Sequence, residues 1–177
     1  MTEAARYAEA LFLLSEEEEC LDTVLSDLGA VATAVKDNPD YTKILDTPSL
    51  SKEERLGLCD TAFSGLCEYV LNTVKILTEK RQMRYFSRLY DAFLALYNKK
   101  MGIIPVEAIT AVELTEEQCE RLKKKLEEKL SATVLIKNTV DKSILGGIML
   151  RYDSIQLDGS VKSRLDKIEA GLKQVVI

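Results

Sequence analysis

The sequence contains no histidine. That absence removes the Ser-His-Asp and Cys-His forms of nucleophilic catalysis and the commonest general base near neutral pH. Cysteine is sparse: Cys20, Cys59, Cys67 and Cys119 stand far apart along the chain. Thiolate zinc sites use close pairs, and disulfide frameworks belong to small secreted domains, so the four read as small buried thiols and no metal site is expected. Nowhere do ~18 apolar residues run together without a charge, so no stretch reads as bilayer-spanning. The first helical stretch carries Glu3, Glu9 and Glu16 to Glu19, the opposite of a basic signal or transit peptide. The expectation is a chain that starts at its mature terminus in the cytoplasm.

Phosphate-binding motifs are missing too. The only glycine pair, Gly146 and Gly147, lies in a strand-like run without the Lys and Ser or Thr of a P-loop, and no dinucleotide fingerprint occurs. No surplus of basic residues exists either: residues 1 to 101 hold 12 basic and 17 acidic residues, and residues 102 to 177 hold 12 of each. That balance disfavours a nucleic-acid binder, which needs a basic face. The local basic runs, Lys80, Arg81 and Arg84, and Lys123 to Lys125, read as solvated helix surface. Carboxylate pairs at Glu53 and Glu54, Glu116 and Glu117, and Glu127 and Glu128 lie on predicted helix surfaces, with nothing to separate their pKa values. Tyr85, Tyr90 and Tyr97 lie along one predicted helix and read as packing rather than as a base-stacking platform. The sequence thus offers no catalytic residue and no cofactor site.

What is present is enough apolar material, 46% of residues against 30% charged, for one good-sized core or two small ones. To about Met101 the pattern is helical almost throughout. Helices are expected over Thr2 to Glu18, Cys20 to Asp37, Asp40 to Asp46, Ser51 to Phe63, Leu66 to Lys80 and Met83 to Met101. Asn38-Pro39-Asp40 separates the second from the third, and Ser51 with Glu54 forms a capping box for the fourth. Six helices with short connections read as an antiparallel helical bundle.

After Gly102 the period changes. Ile103 to Leu114 reads as a strand, and Pro105 places it at a sheet edge. Thr115 with Gln118 opens a charged helix to about Leu130, whose stripe Leu122, Leu126 and Leu130 packs on one side only. Thr133 to Asn138 and Ile144 to Tyr152 read as further strands, and Asp158 to about Leu172 as a last helix. The fold class is α+β, mostly α: a six-helix bundle over residues 1–101, then a small mixed α/β unit over 102–177.

Two helices carry more apolar surface than one core needs. In the first, Ala4, Tyr7, Ala8, Leu11 and Leu14 form a stripe, with Ala5, Phe12 and Leu13 beside it; in the fifth, Val70, Val74 and Leu77 are joined by Tyr69, Thr73 and Ile76. Either these helices lie at the bundle centre, or they border a groove that receives an amphipathic partner helix.

The opening Ala5-Arg6-Tyr7-Ala8-Glu9-Ala10-Leu11-Phe12 resembles the first helix of the delta subunits of F-type ATP synthases and of their mitochondrial counterpart, the oligomycin-sensitivity-conferring protein, without the usual proline. Thr78-Glu79-Lys80-Arg81 resembles the family's Glu-Asn-Gly-Arg turn, with the glycine replaced. The most specific match is Val140-Asp141-Lys142-Ser143-Ile144-Leu145-Gly146-Gly147-Ile148-Met149-Leu150-Arg151 followed by Asp158-Gly159-Ser160-Val161-Lys162-Ser163-Arg164-Leu165. Physically, the glycine pair suits close approach of another backbone or helix, Asp158 can cap the last helix, Gly159 relaxes the turn and Ser160 offers an alternative cap.

The resemblance implies a non-catalytic stator subunit, peripheral on the cytoplasmic face of a bacterial membrane or on the stromal side of a thylakoid. Its helical domain would receive the amino-terminal helix of one alpha subunit in a groove between the first and fifth helices. Carried over, the contacts are Tyr7, Ala10, Leu11, Leu14, Val70, Thr73, Val74, Ile76 and Leu77. Its carboxy-terminal unit would meet the b subunits of the peripheral stalk, and membrane association would be indirect. The alternative is a helical adaptor that uses the same groove for another partner.

Overall fold

The computed structural model describes residues 2–47, 50–153, 155–163 and 165. Among them the chain is mostly helical with one small four-stranded mixed sheet. It divides into two compact units, residues 1–97 and 98–177.

The first unit is built from α1 (Glu3–Glu17), α2 (Leu21–Asp37), α3 (Pro39–Asp46), α4 (Lys52–Ala62), α5 (Glu68–Glu79) and the start of α6 (Phe86–Met101). Thr2 caps α1 by accepting from the Ala5 amide. Ser51 and Glu54 close the reciprocal box on α4 at 3.2 and 2.9 Å. Pro39 starts α3 at its first position, where the missing N–H is no loss, so this helix begins one residue earlier than Asp40. The helix expected from Met83 opens instead as a 3-10 turn, Met83–Tyr85, before α6.

Both α1 and α5 end in the same way. At the end of α5 the Gln82 amide donates to the Leu77 carbonyl (2.8 Å) and the Arg81 amide to that of Thr78 (3.1 Å), while Arg81 takes φ +56°. At the end of α1, Cys20 donates to Ser15 (3.0 Å) and Glu19 to Glu16 (3.3 Å), with Glu19 at φ +53°. These are Schellman closures with a charged residue in the left-handed position that glycine ordinarily fills.

Val24, Leu28, Leu45, Val70, Val74, Phe86, Leu89 and Phe93 form the fully buried centre of this unit. Phe12 meets Phe93 edge-on at 5.7 Å between ring centroids.

In the second unit β1 (Ile103–Thr110), β2 (Thr133–Val140), β3 (Ile148–Tyr152) and β4 (Ile155–Asp158) form a sheet of order β2-β1-β3-β4, and α7 (Glu116–Leu130) lies between β1 and β2 in the chain. β1 runs parallel to β2 and antiparallel to β3, and β3 antiparallel to β4. The parallel pair requires a crossover, which α7 provides. Leu126 is buried with Val106 and Val134, and Leu122 and Leu130 pack at its sides.

The edge position expected from Pro105 is wrong, because β1 lies between β2 and β3. The β1–β3 ladder begins only at Glu107, so Pro105 has β2 alone as its neighbour and its missing N–H breaks no second ladder. Asp158 closes β4 instead of opening a helix, and the described helical residues there are 161–163 and 165. The expected continuation to Leu172 lies outside the described residues.

Candidate docking groove

α1 and α5 lie side by side and antiparallel, as close approaches at opposite ends require. At one end Lys80, which caps α5, donates its Nζ to the Tyr7 hydroxyl and sits 5.2 Å from the Tyr7 ring centroid. Gln82 Nε2 donates to Glu3 Oε2 at 2.7 Å beside it. At the other end Tyr69, in the first turn of α5, lies near Glu18, which caps α1; burial, then the Glu18 charge, holds its hydroxyl above the usual tyrosine value.

Helical geometry then decides which residues border the seam. α1 turns Ala4, Ala8, Leu11, Phe12 and Ser15 into the core, and α5 turns Val70, Thr73, Val74, Leu77 and Thr78 inward. Leu11, Val70, Thr73, Val74 and Leu77, named from sequence as partner contacts, are therefore buried. Beside this core face on α1, Tyr7 is half-buried and Ala10 and Leu14 are exposed. Ile76 is 44% exposed on the matching flank of α5, with Tyr69 and Lys80 in line.

Ala10, Leu14 and Ile76 are exposed on the flanks of the seam, while Thr73 is buried with its hydroxyl donating to the Tyr69 carbonyl at 2.8 Å. Near Lys80 a depression of about 320 Å³ is lined by Glu3, Arg6, Tyr7, Ala10 and Lys80. The two ends differ in charge: Arg6 and Lys80, with Glu3, rim one, and Glu17 and Glu18 the other. Hydrogen bonding to the Tyr7 hydroxyl raises the Lys80 pKa. Such a trough suits an amphipathic helix whose flanking charges run opposite to its own.

The second apolar stripe read on α1 has another explanation. Phe12 is core, and Leu13 is an isolated exposed residue, 55% accessible.

Other sequence features resolve into structure. Glu54 is engaged in its capping box, which holds its carboxyl below the usual range. Glu117 pairs with Arg121 at 3.2 Å, and Glu127 accepts from the Val134 amide at 3.1 Å. Tyr85 lies under Arg84 and Arg88, at 5.0 and 5.6 Å, while Tyr97 donates to Asp22 at 2.5 Å. Among the described residues no cluster of His, Cys, Asp or Glu could hold a metal ion.

In the second unit the glycine pair meets the Asp158-Gly159-Ser160 turn. A Cβ on Gly147, at φ +89°, would lie 2.6 Å from the Gly159 carbonyl oxygen and 2.8 Å from the Ser160 Cα. Gly159 donates to Ile148 at 3.0 Å, and Val161 to Gly146 at 2.9 Å. Asp158 Oδ1 accepts from the Ser160 amide at 2.8 Å, shaping the turn, and Ser160 Oγ accepts from the Ser163 amide at 3.2 Å as the cap.

One residue escaped the sequence reading. Arg55, only 5% exposed, donates to the Thr78 carbonyl at 2.8 Å and the Leu45 carbonyl at 3.5 Å through Nη1, and to Ser51 O through Nε at 3.4 Å. Its only signal was an arginine on the face of α4 that also carries Cys59.

Residues 4–172 match the family described as ATP synthase delta (OSCP) subunit. The chain belongs to that family. The ATP synthase subunit delta of Clostridioides difficile strain 630 is 38% identical over 175 residues, covering 98% of this chain and 97% of its own length. That of Leuconostoc mesenteroides is 34% identical over 170 residues, covering 96% and 94%. Among solved structures, a chain of the Toxoplasma gondii mitochondrial ATP synthase hexamer matches with a TM-score of 0.76 and 24% identity, covering 97% of this chain and 98% of that one; the likeness there is one of fold. The chain is thus an ATP synthase subunit by family, and no helix among its described residues is long and apolar enough to cross a membrane.

Proposed function

We propose that this protein is the non-catalytic stator joint of an F-type ATP synthase, seated on the cytoplasmic side of the membrane. The α1/α5 groove would receive the amino-terminal helix of an alpha subunit of the catalytic head. The second unit would receive the carboxy-terminal ends of the b subunits of the peripheral stalk. Held at both places, the head resists turning with the rotor.

The observation that supports the reading is the α1/α5 seam, with Leu14 and Ile76 exposed on its flanks and a depression of about 320 Å³ at its Lys80 end lined by Glu3, Arg6, Tyr7, Ala10 and Lys80. A mechanical joint must hold under torque, and helix-in-groove burial with a few polar anchors reaches nanomolar affinity, on the order of 12 kcal/mol. The task needs no catalytic group.

Calorimetric titration with a synthetic peptide of the alpha subunit's amino-terminal helix tests it. Submicromolar binding by the native chain, reduced at least tenfold in folded Leu14→Asp and Ile76→Asp variants, is expected. Leu11 and Val74 do not serve as probes, since a charge at either buried position would unfold the unit. Absence of binding by the well-folded native chain would overturn the groove assignment, and capture of a different amphipathic helix would favour a general adaptor.

A further inference from the structure

The basic end of the α1/α5 seam does not stop at Lys80. The depression there shares Glu3 with a second one, of about 380 Å³, whose lining includes Gln82, Arg84, Tyr85 and Arg88. Glu3 joins the two, its Oε2 accepting from Gln82 Nε2 at 2.7 Å. The amides of Met83 and Arg84 donate to the Asp46 carboxylate at 3.2 and 3.4 Å, which holds the 3-10 turn in place. Arg84 and Arg88, four residues apart, set their guanidiniums 5.0 and 5.6 Å from the Tyr85 ring centroid. Both arginines are exposed, Tyr85 is half-buried, and among the described residues neither arginine is in an ion pair. Along the two depressions Arg6, Lys80, Arg84 and Arg88 therefore face one carboxylate, that of Glu3. This surplus is local, since residues 1 to 101 hold 12 basic and 17 acidic residues.

On the reading of the seam as a docking groove, we infer that Arg84, Tyr85 and Arg88 form a second subsite of the same interface, which takes acidic residues flanking the docked partner helix. The occupant is one short acidic segment continuous with that helix. A guanidinium fork matches a carboxylate bidentately, and two forks held at one ring lose less side-chain freedom on binding than free arginines would. The subsite adjoins the seam at Glu3, so a chain that leaves the seam at its Lys80 end enters it directly. A basic flank would meet four cations there, and an acidic flank at the far end would meet Glu17 and Glu18. The arrangement thus selects the direction of the partner helix as well as the charge of its flank.

The test titrates the folded full chain with a synthetic peptide of the alpha subunit's amino-terminal helix and its native flanks. A second peptide carries Asn and Gln in place of the Asp and Glu of those flanks. At low salt the native chain should bind the first peptide about fivefold more tightly than the second, as two exposed ion pairs supply. High salt should remove the difference. The double variant Arg84→Gln/Arg88→Gln should lose the same factor toward the first peptide and nothing further toward the second. Lys124→Gln/Lys125→Gln, which removes the same charge from exposed positions on α7, should bind as the native chain does. Thermal midpoints confirm that each variant is folded. Undiminished affinity of Arg84→Gln/Arg88→Gln, or an equal loss in the α7 variant, would overturn the inference; with Leu14→Asp still defective, the groove itself would stand. Flanks without an acidic residue would overturn it as well. Absence of binding by the native chain would overturn the groove assignment and the subsite together.

Discussion

Gly147 has no room for a side chain against Gly159: its absent Cβ would lie 2.6 Å from the Gly159 carbonyl oxygen, inside any contact a real Cβ makes. The obstacle is backbone, which cannot swing aside, and the turn behind it is fixed by the Asp158 and Ser160 hydrogen bonds. Gly147→Ala should therefore destabilise the second unit by about 3 kcal/mol, from the left-handed φ and the forced shift together. Gly57→Ala is the control, since nothing lies within 4 Å of its Cβ and it sits inside α4. It should stabilise the first unit by about 0.5–1 kcal/mol. Urea titration followed by hydrogen exchange in each unit distinguishes the two; equal and small effects would refute the close approach.

The charged residues at the Schellman positions argue in the opposite direction. Arg81 and Glu19 hold left-handed φ values of 56° and 53° that an L side chain adopts at a cost. Arg81→Gly and Glu19→Gly should each stabilise the first unit by about 0.5–1 kcal/mol, the relief of strain exceeding the added freedom of the unfolded chain. Thermal midpoints of the two variants and the double variant check this, and the double should be additive because the sites cap different helices. Destabilisation would mean that the side chains supply more than the φ takes away.

These two cases mark how far the sequence could be read. Helix positions, the two capping boxes and the narrow stripe of α7 were legible because each is a local pattern of residue type and spacing. Pro105 misled because an edge was inferred from one missing N–H, and whether that N–H faces a second strand depends on how far the β1–β3 ladder extends. β4 escaped because its alternation of Ile155 and Leu157 with Gln156 and Asp158 spans only four residues. At the groove, surplus apolar surface was visible on both helices, but Leu11, Val70, Val74 and Leu77 could not be separated from Leu14 and Ile76. That separation depends on the rotation of each helix about its axis, which the other helices set.

Arg55 joins three elements from inside. Its guanidinium serves carbonyls in the last turns of α3 and α5, where helices leave acceptors unpaired and the helix dipole is negative. Arg55→Met keeps much of the stem's packing and removes the donors, so it should cost about 3 kcal/mol, in line with hydrogen bonds from a charged group to buried acceptors. Arg55→Lys should recover only part, since one ammonium cannot reach the Leu45, Thr78 and Ser51 carbonyls together as Nη1 and Nε of the planar guanidinium do. Urea midpoints near the native value for Arg55→Met would show that water replaces the guanidinium at little cost.

Tyr41 gives the first unit an alkaline limit. Its hydroxyl donates to the Leu58 carbonyl at 3.1 Å and its ring meets Phe63 edge-on at 6.3 Å. Burial, with a smaller push from Cys59, raises its pKa to about 12. The unfolded chain releases this proton near pH ~10. Below that both states keep it and the contribution is complete. Between about 10 and about 12 only the folded state binds the proton, so stability falls as pH rises; beyond about 12 the loss is finished. Tyr69 and Tyr97, also raised, add their own slopes, so the test is the difference between the native chain and Tyr41→Phe. Urea unfolding across this range should show the native chain losing stability faster than Tyr41→Phe, with the two curves parallel below pH ~9.5. Parallel curves up to pH ~12 would mean that the Tyr41 hydroxyl ionises in the folded protein as readily as in the unfolded chain.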